Sequence, residues 1–143
     1  MGKIDNTIQI GRCLQEILSN DATILSIVGQ APNKIFGMKM PTELIFPFVH
    51  YERTGLMPTY TKDNRSQISG WTDTVWFSIG CCSDKYEQSI DLANAVRHAV
   101  EGYYWHEAGF MWFDPIEIVN VLEYEASGMF VQEIQIKIEA QPC

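Results

Sequence analysis

His106-Glu107 opens like the helix of a zinc-protease motif, in which two histidines one turn apart hold the metal and the glutamate activates its water. No second histidine follows at that spacing and Gly109 interrupts a helix there, so His106 reads as a surface histidine. His50 lies in a strand pattern and His98 on the polar side of a helical one, and neither has sequence neighbours that complete a catalytic or ligand set. The thiols are Cys13, Cys81, Cys82 and Cys143, without C-x-x-C spacing. Cys81 and Cys82 are adjacent in a strand pattern and must point to opposite faces, which marks ordinary buried thiols. Glu123 and Glu125 share a side of one strand, as paired-carboxylate hydrolysis would need, but solvated strand faces carry the same pattern. There is no G-x-S-x-G, no phosphate-cradling glycine loop and no cysteine whose neighbours would lower its pKa. The expectation is a non-enzymatic chain with no cofactor and no metal.

The 143 residues fit one domain spanning 1–143, long enough to bury roughly two thirds of the surface its unfolded form exposes. At 46% hydrophobic and 20% charged residues the composition is globular, and no apolar run spans a bilayer. The first residues lack the pattern of a secretory signal, so folding in cytoplasm is expected. The net charge of −8, with few and scattered Lys and Arg, argues against tight binding to a nucleic-acid backbone.

The elements that would position any site are organised around Ser83 to Tyr104, where a strand pattern gives way to a helix. Tyr86, Ile90, Ala93, Val96, Val100 and Tyr103 recur every three or four residues and predict its buried stripe. Ser83 or Asp84 can cap its start, Glu87 stands at capping-box distance from Asp84, and Gly102 either marks its end or sits inside its last turn. Earlier in the chain, Ile8, Gly11, Leu14, Ile17 and Leu18 predict a first amphipathic helix. A short helix follows from Asn20-Asp21 to Gly29, then a brief extended piece at Lys34-Ile35-Phe36.

Phe48 to Thr54 alternates as a strand, with Val49, Tyr51 and Arg53 opposite Phe48, His50 and Glu52. Leu56 to Trp71 is punctuated by Pro58, Asp63-Asn64 and Ser69-Gly70, which predicts a long loop or an extended hairpin tip. Thr72 to Cys82 is a strand with Val75, Phe77, Ile79 and Cys81 opposite Trp76 and Ser78. After the helix, Tyr104 to Phe113 is dense in aromatics without either period and reads as a connection. In the next strand Ile116, Ile118, Asn120, Leu122 and Tyr124 oppose Glu117, Val119, Val121 and Glu123. Glu125 to Gly128 supplies a turn. In the last strand Ile134, Ile136 and Ile138 oppose Glu133, Gln135, Lys137 and Glu139. Helices and hairpins are segregated, so the fold class is α+β: an antiparallel sheet of about four main strands packed on one face by two amphipathic helices.

Taken in order over nearly the whole chain, these patterns resemble the tail-completion (head-to-tail joining) family of long-tailed bacteriophages and prophages. The resemblance rests on Ile17-Leu18-Ser19-Asn20-Asp21-Ala22-Thr23-Ile24-Leu25-Ser26-Ile27-Val28-Gly29, then Lys34-Ile35-Phe36 and Pro47-Phe48-Val49-His50-Tyr51-Glu52-Arg53. It continues through Tyr86-Glu87-Gln88-Ser89-Ile90-Asp91-Leu92-Ala93-Asn94-Ala95-Val96-Arg97 and the closing hairpin from Leu122-Glu123-Tyr124-Glu125 to Ile138. It implies a tail-terminator-like fold and a virion structural protein that forms a homo-oligomeric ring, a hexamer, at the head-proximal end of the tail. The implied partners are phage tail-tube and head-connector proteins, with no membrane and at most transient contact with DNA in the channel. The implied location is the host bacterial cytoplasm during assembly and then the virion tail. The aromatic segment is richer than the family pattern.

Two uses of that segment remain open, a lid on the core or a contact between subunits. For the contact reading, the candidate residues are Tyr60, Lys62 and Arg65 in the long loop, Trp71 at its end, and Trp105, Phe110 and Trp112. The reading from another class is a small-molecule binding protein or enzyme, whose pocket Trp76, Trp105, Trp112 and His106 would line.

Overall fold

The computed structural model describes residues 10–29, 34–38, 45–59, 72–107 and 111–142. Helix α1 spans Ile10–Ser19 and buries Ile10, Cys13, Leu14, Ile17 and Leu18, of which Leu14, Ile17 and Leu18 belong to the predicted stripe, while Gly11 is half-buried and Ile8 lies outside the described residues. Helix α2 spans Ala22–Val28. Its start is fixed by Asp21, whose Oδ1 accepts the Ile24 N–H at 3.0 Å, satisfying one amide that the helix itself leaves free.

The long strands are β2 (Phe48–Thr59), β3 (Thr72–Ser83), β6 (Glu117–Ala126) and β7 (Met129–Pro142), joined by antiparallel ladders β2–β3, β3–β7 and β6–β7. These are the four main strands of the sequence. Three short strands extend the sheet: β1 (Ile35–Gly37), parallel to β2, and the antiparallel pair β4 (Trp105–Glu107) and β5 (Met111–Phe113), of which β5 pairs with the end of β7. The order is β1-β2-β3-β7-β5-β4, with β6 also along β7, and β1 makes the sheet mixed.

Among the described residues all the helices lie on one face. The core there joins Leu14, Leu18, Ile24, Leu92 and Val96 to Val49, Val75, Phe77, Ile79, Ile134, Ile136 and Ile138, alternate residues of the strands. The predicted faces of β3 and β7 are those observed. So is the split of the two adjacent thiols, since Cys81 belongs to this core and Cys82 packs with Phe48 and Val131 on the other face.

Five expectations are corrected. Helix α3 (Tyr86–Val100) buries Ser89, Leu92, Ala95, Val96 and Val100, whereas Tyr86 and Tyr103 are exposed. The helix is turned because Tyr86 reaches the sheet's edge instead of its centre, and because the helix has already ended before Gly102, where φ is +80°. The capping box is absent: Lys85 occupies the cap without a side-chain bond, while Ser83 Oγ accepts the Lys85 N–H at 3.0 Å and donates to Gln88 Oε1 at 2.7 Å.

Strand β2 runs on to Thr59, past the predicted end at Thr54, because Leu56 to Thr59 stay paired with Val75 to Thr72 beyond a register shift between Arg53 and Gly55. Pro58 fits since β1 covers only Val49 to Tyr51, leaving that end of β2 an edge. Residues 60–71, the rest of the expected loop, lie outside the described residues.

In β6 a second shift, between Ile118 and Asn120, breaks the expected alternation. Ile118, Val121 and Glu123 share one face and Asn120, Leu122 and Tyr124 the other, since the extra residue at Val119 reverses the sense of every later side chain. Finally, the segment expected as a connection from Tyr104 to Phe113 contains the β4–β5 pair, with Trp105 opposite Phe113 and His106 opposite Trp112.

Candidate functional site

The helix-free face of the sheet is built from the other set of alternate residues: Phe48, His50 and Glu52 on β2, Trp76, Ser78 and Cys82 on β3, and Val131, Glu133, Gln135 and Lys137 on β7. At one end it is apolar. Phe48, Cys82 and Val131 are buried beneath Phe36, Phe46 and Met129, and the Phe48 ring stacks on Phe36 and on Phe46 at centroid distances of 5.5 and 5.6 Å.

Beside this patch the strands enclose a concavity of about 300 Å³, lined among others by His50, Glu52, Ser78, Tyr124, Val131 and Glu133. Glu133 is its polar centre. Its carboxylate accepts from Ser78 Oγ at 2.9 Å, Gln135 Nε2 at 3.0 Å and the Tyr124 hydroxyl at 3.2 Å. The Gln135 amide leads in holding Glu133 below the ordinary carboxylate range, against the opposing effect of burial. Burial, then the charge of Glu133, raises the Tyr124 phenol, which keeps its proton and donates it.

A second polar bridge ties α3 to the β6–β7 hairpin. The Tyr86 hydroxyl donates to both Glu123 oxygens at 3.0 and 3.1 Å, and Gln132 Nε2 donates to Glu123 Oε1 at 3.2 Å and to Ser89 Oγ at 3.4 Å. The Tyr86 ring meets Phe130 edge-on at 5.6 Å. Glu123 and Glu125 do share a face, opposite Gln132 and Phe130. Glu123 is occupied as an acceptor there, which is structural work.

Burial raises the Cys81 thiol and pushes Cys82 up to about 11, so both stay protonated and poor nucleophiles at neutral pH. His50 Nε2 lies 3.3 Å from the Met38 carbonyl oxygen. Among the described residues no three His, Cys, Asp or Glu side chains are grouped to hold a metal, and no helix is long and apolar enough to cross a membrane.

Of the residues proposed for a pocket, Trp76 stands on the helix-free face but is not among those lining the concavity. Trp105, His106 and Trp112 are placed by backbone register on the β4–β5 pair, near the end of β7. Tyr60, Lys62, Arg65, Trp71 and Phe110 lie outside the described residues. Sequence reasoning missed the Glu133 cluster because its members come from three strands. The signal available was a lone Glu with Ser78 and Tyr124 on faces that only strand register aligns.

Strand β6 closes one side of the sheet. Among the described residues it pairs with β7 alone, and Val119, Val121, Leu122 and Tyr124 on it are all exposed. Its hairpin turns on Ser127 and Gly128, both with positive φ (52° and 81°), the backbone that matches strand twist in a two-residue turn.

No protein-family model matches the sequence, and no curated protein matches it. Among solved structures, a chain of the virion of a native gene transfer agent particle is similar, with a TM-score of 0.73 over 90% of this chain and 91% of that one. The identity is 15%, so the likeness is one of fold.

Proposed function

We propose that the chain is a non-enzymatic structural subunit of a phage or phage-like virion, a tail-completion protein that joins tail to head. The observation that carries this reading is the fold shared with a virion chain across nine tenths of both chains. The whole chain then acts as one building block of a ring, hexameric by the family resemblance, seated at the head-proximal end of the tail. Such a ring works by geometry: each subunit offers two different surfaces, and the rotation between neighbours closes. Its partners are the tail-tube and head-connector proteins, and its place is the virion tail after assembly in the bacterial cytoplasm. Trp105 and Trp112, on the β4–β5 pair at one end of the sheet, are candidates for the partner-facing side. Deleting the gene from its parent phage tests this: filled heads and separate tails should accumulate, and purified protein should restore joining in the lysate. Intact infectious particles from the deletion strain would remove the proposal.

A further inference from the structure

Gly80 stands inside β3, a strand paired on both sides, and nothing in the fold requires a glycine there. Its φ is not positive, the ladders to β2 and β7 pass it without a register shift, and a Cβ built on it meets nothing closer than the His50 carbonyl oxygen at 3.6 Å. Glycine inside a strand gives up packing and costs backbone entropy, and one recurring reason for it is close approach of a ligand or another chain. Gly80 lies between His50 on β2 and Glu133 on β7, so the missing side chain opens the floor of the concavity of about 300 Å³.

The walls of that concavity carry charge of one sign. Glu133 lines it from β7 with three neutral donors on its carboxylate, and the exposed Glu52 lines it from β2. Burial first, then Glu133 and more weakly Glu52, raise the Tyr124 phenol, so both carboxylates stand within electrostatic reach of one hydroxyl. Among the described residues neither carboxylate has an ion pair. Lys137 shares their face of the sheet but sits further along β7, 3.6 and 3.7 Å from Glu117 and Glu139. Beside the two carboxylates the wall is apolar, with Phe48, Val131 and Met129. Such a site complements a side chain with an apolar stem and a positive tip. A planar guanidinium, unlike an ammonium, can bridge two carboxylates through separate N–H groups.

We propose that the concavity over Gly80 seats an arginine side chain of a partner protein, its stem against Phe48 and Val131 and its guanidinium between Glu52 and Glu133. The partner is identified here by charge and shape and not by a place in a particle, so the site stands or falls separately from the virion reading.

Nitrogen–proton correlation spectra of the full chain, titrated with N-acetyl-arginine amide, test it. The amide signals of Gly80, Glu133 and Tyr124 should shift and saturate. N-acetyl-citrulline amide, which has nearly the same shape without the charge, should bind about tenfold more weakly. Gly80→Val fills the floor with a residue that strands favour, so it should keep or raise the melting temperature and abolish the shifts. Glu52→Gln, at an exposed position, should leave the fold intact and weaken the arginine response. Equal responses to the two amides, or a Glu52→Gln chain that responds like wild type, would overturn the proposal. So would arginine shifts confined to other parts of the chain. Shifts of the same signals on concentrating the protein without any probe would give the face to a second copy instead.

Discussion

Glu133 shows how one charged residue organises a surface that is otherwise read as plain alternation. Three donors from three strands converge on its carboxylate, and a hydrogen bond to a charged group is worth more than one between neutral groups. Because its folded pKa lies below the usual 4.5, its contribution is complete above that value and is lost as pH falls through the folded pKa. Glu133→Gln should therefore cost about 1 kcal/mol at pH 7, allowing for solvent screening, and progressively less as pH falls from 5 to about 3. Urea midpoints of both proteins at the two ends of that range check it; a gap that does not narrow would show that Glu133 acts without its charge.

At the scale of elements, α3 and the β6–β7 hairpin carry the clearest expectations. Leu92 is fully buried between helix and sheet, so Leu92→Ala should cost about 2–5 kcal/mol. Tyr86, which its spacing assigns to a buried stripe with Ile90, Ala93 and Val96, is 43% exposed and held by Glu123 and Phe130 at the edge. Tyr86→Ala should cost much less than Leu92→Ala, because its hydroxyl bonds are screened by solvent. Denaturation of the two variants side by side distinguishes the observed helix orientation from the predicted one, since the predicted one requires the larger loss at Tyr86. In the hairpin, Ser127 holds a positive φ that Asn adopts more readily in a two-residue turn ahead of Gly. Ser127→Asn should raise stability by about 0.5 kcal/mol, read from thermal melting. A lower melting temperature would mean that the Ser127 hydroxyl has a role the backbone does not reveal.

For the whole molecule, charge is unevenly divided between the halves of the chain, and in the proposed ring it acts between copies. Complementary halves attract through water over about 10 Å at 0.1 M salt and about 3 Å at 1 M. Self-association should weaken steeply between those concentrations, as light scattering can follow. Association that strengthens with salt would mean that apolar burial, such as the patch around Phe36, Phe46 and Phe48, dominates the contact instead.

The sequence by itself determined the α+β class, helices α1 and α2, and the faces of β3 and β7. Regular alternation such as Ile134, Ile136 and Ile138 has a single burial solution on a one-sided sheet. The opposite faces of Cys81 and Cys82 follow from the same period of two. Tertiary structure decided the rest, for reasons that lie outside any local window. One extra residue at Val119 inverted the second half of β6, and pairing with β3 carried β2 beyond Thr54 to Thr59. A tyrosine at the start of α3 found a partner 37 residues away and left the core to Leu92. The candidate site was least legible of all, because the donors around Glu133 come from three strands that only strand order brings together. Strand order depends on the packing of the whole sheet, and periodicity along one segment carries no record of it.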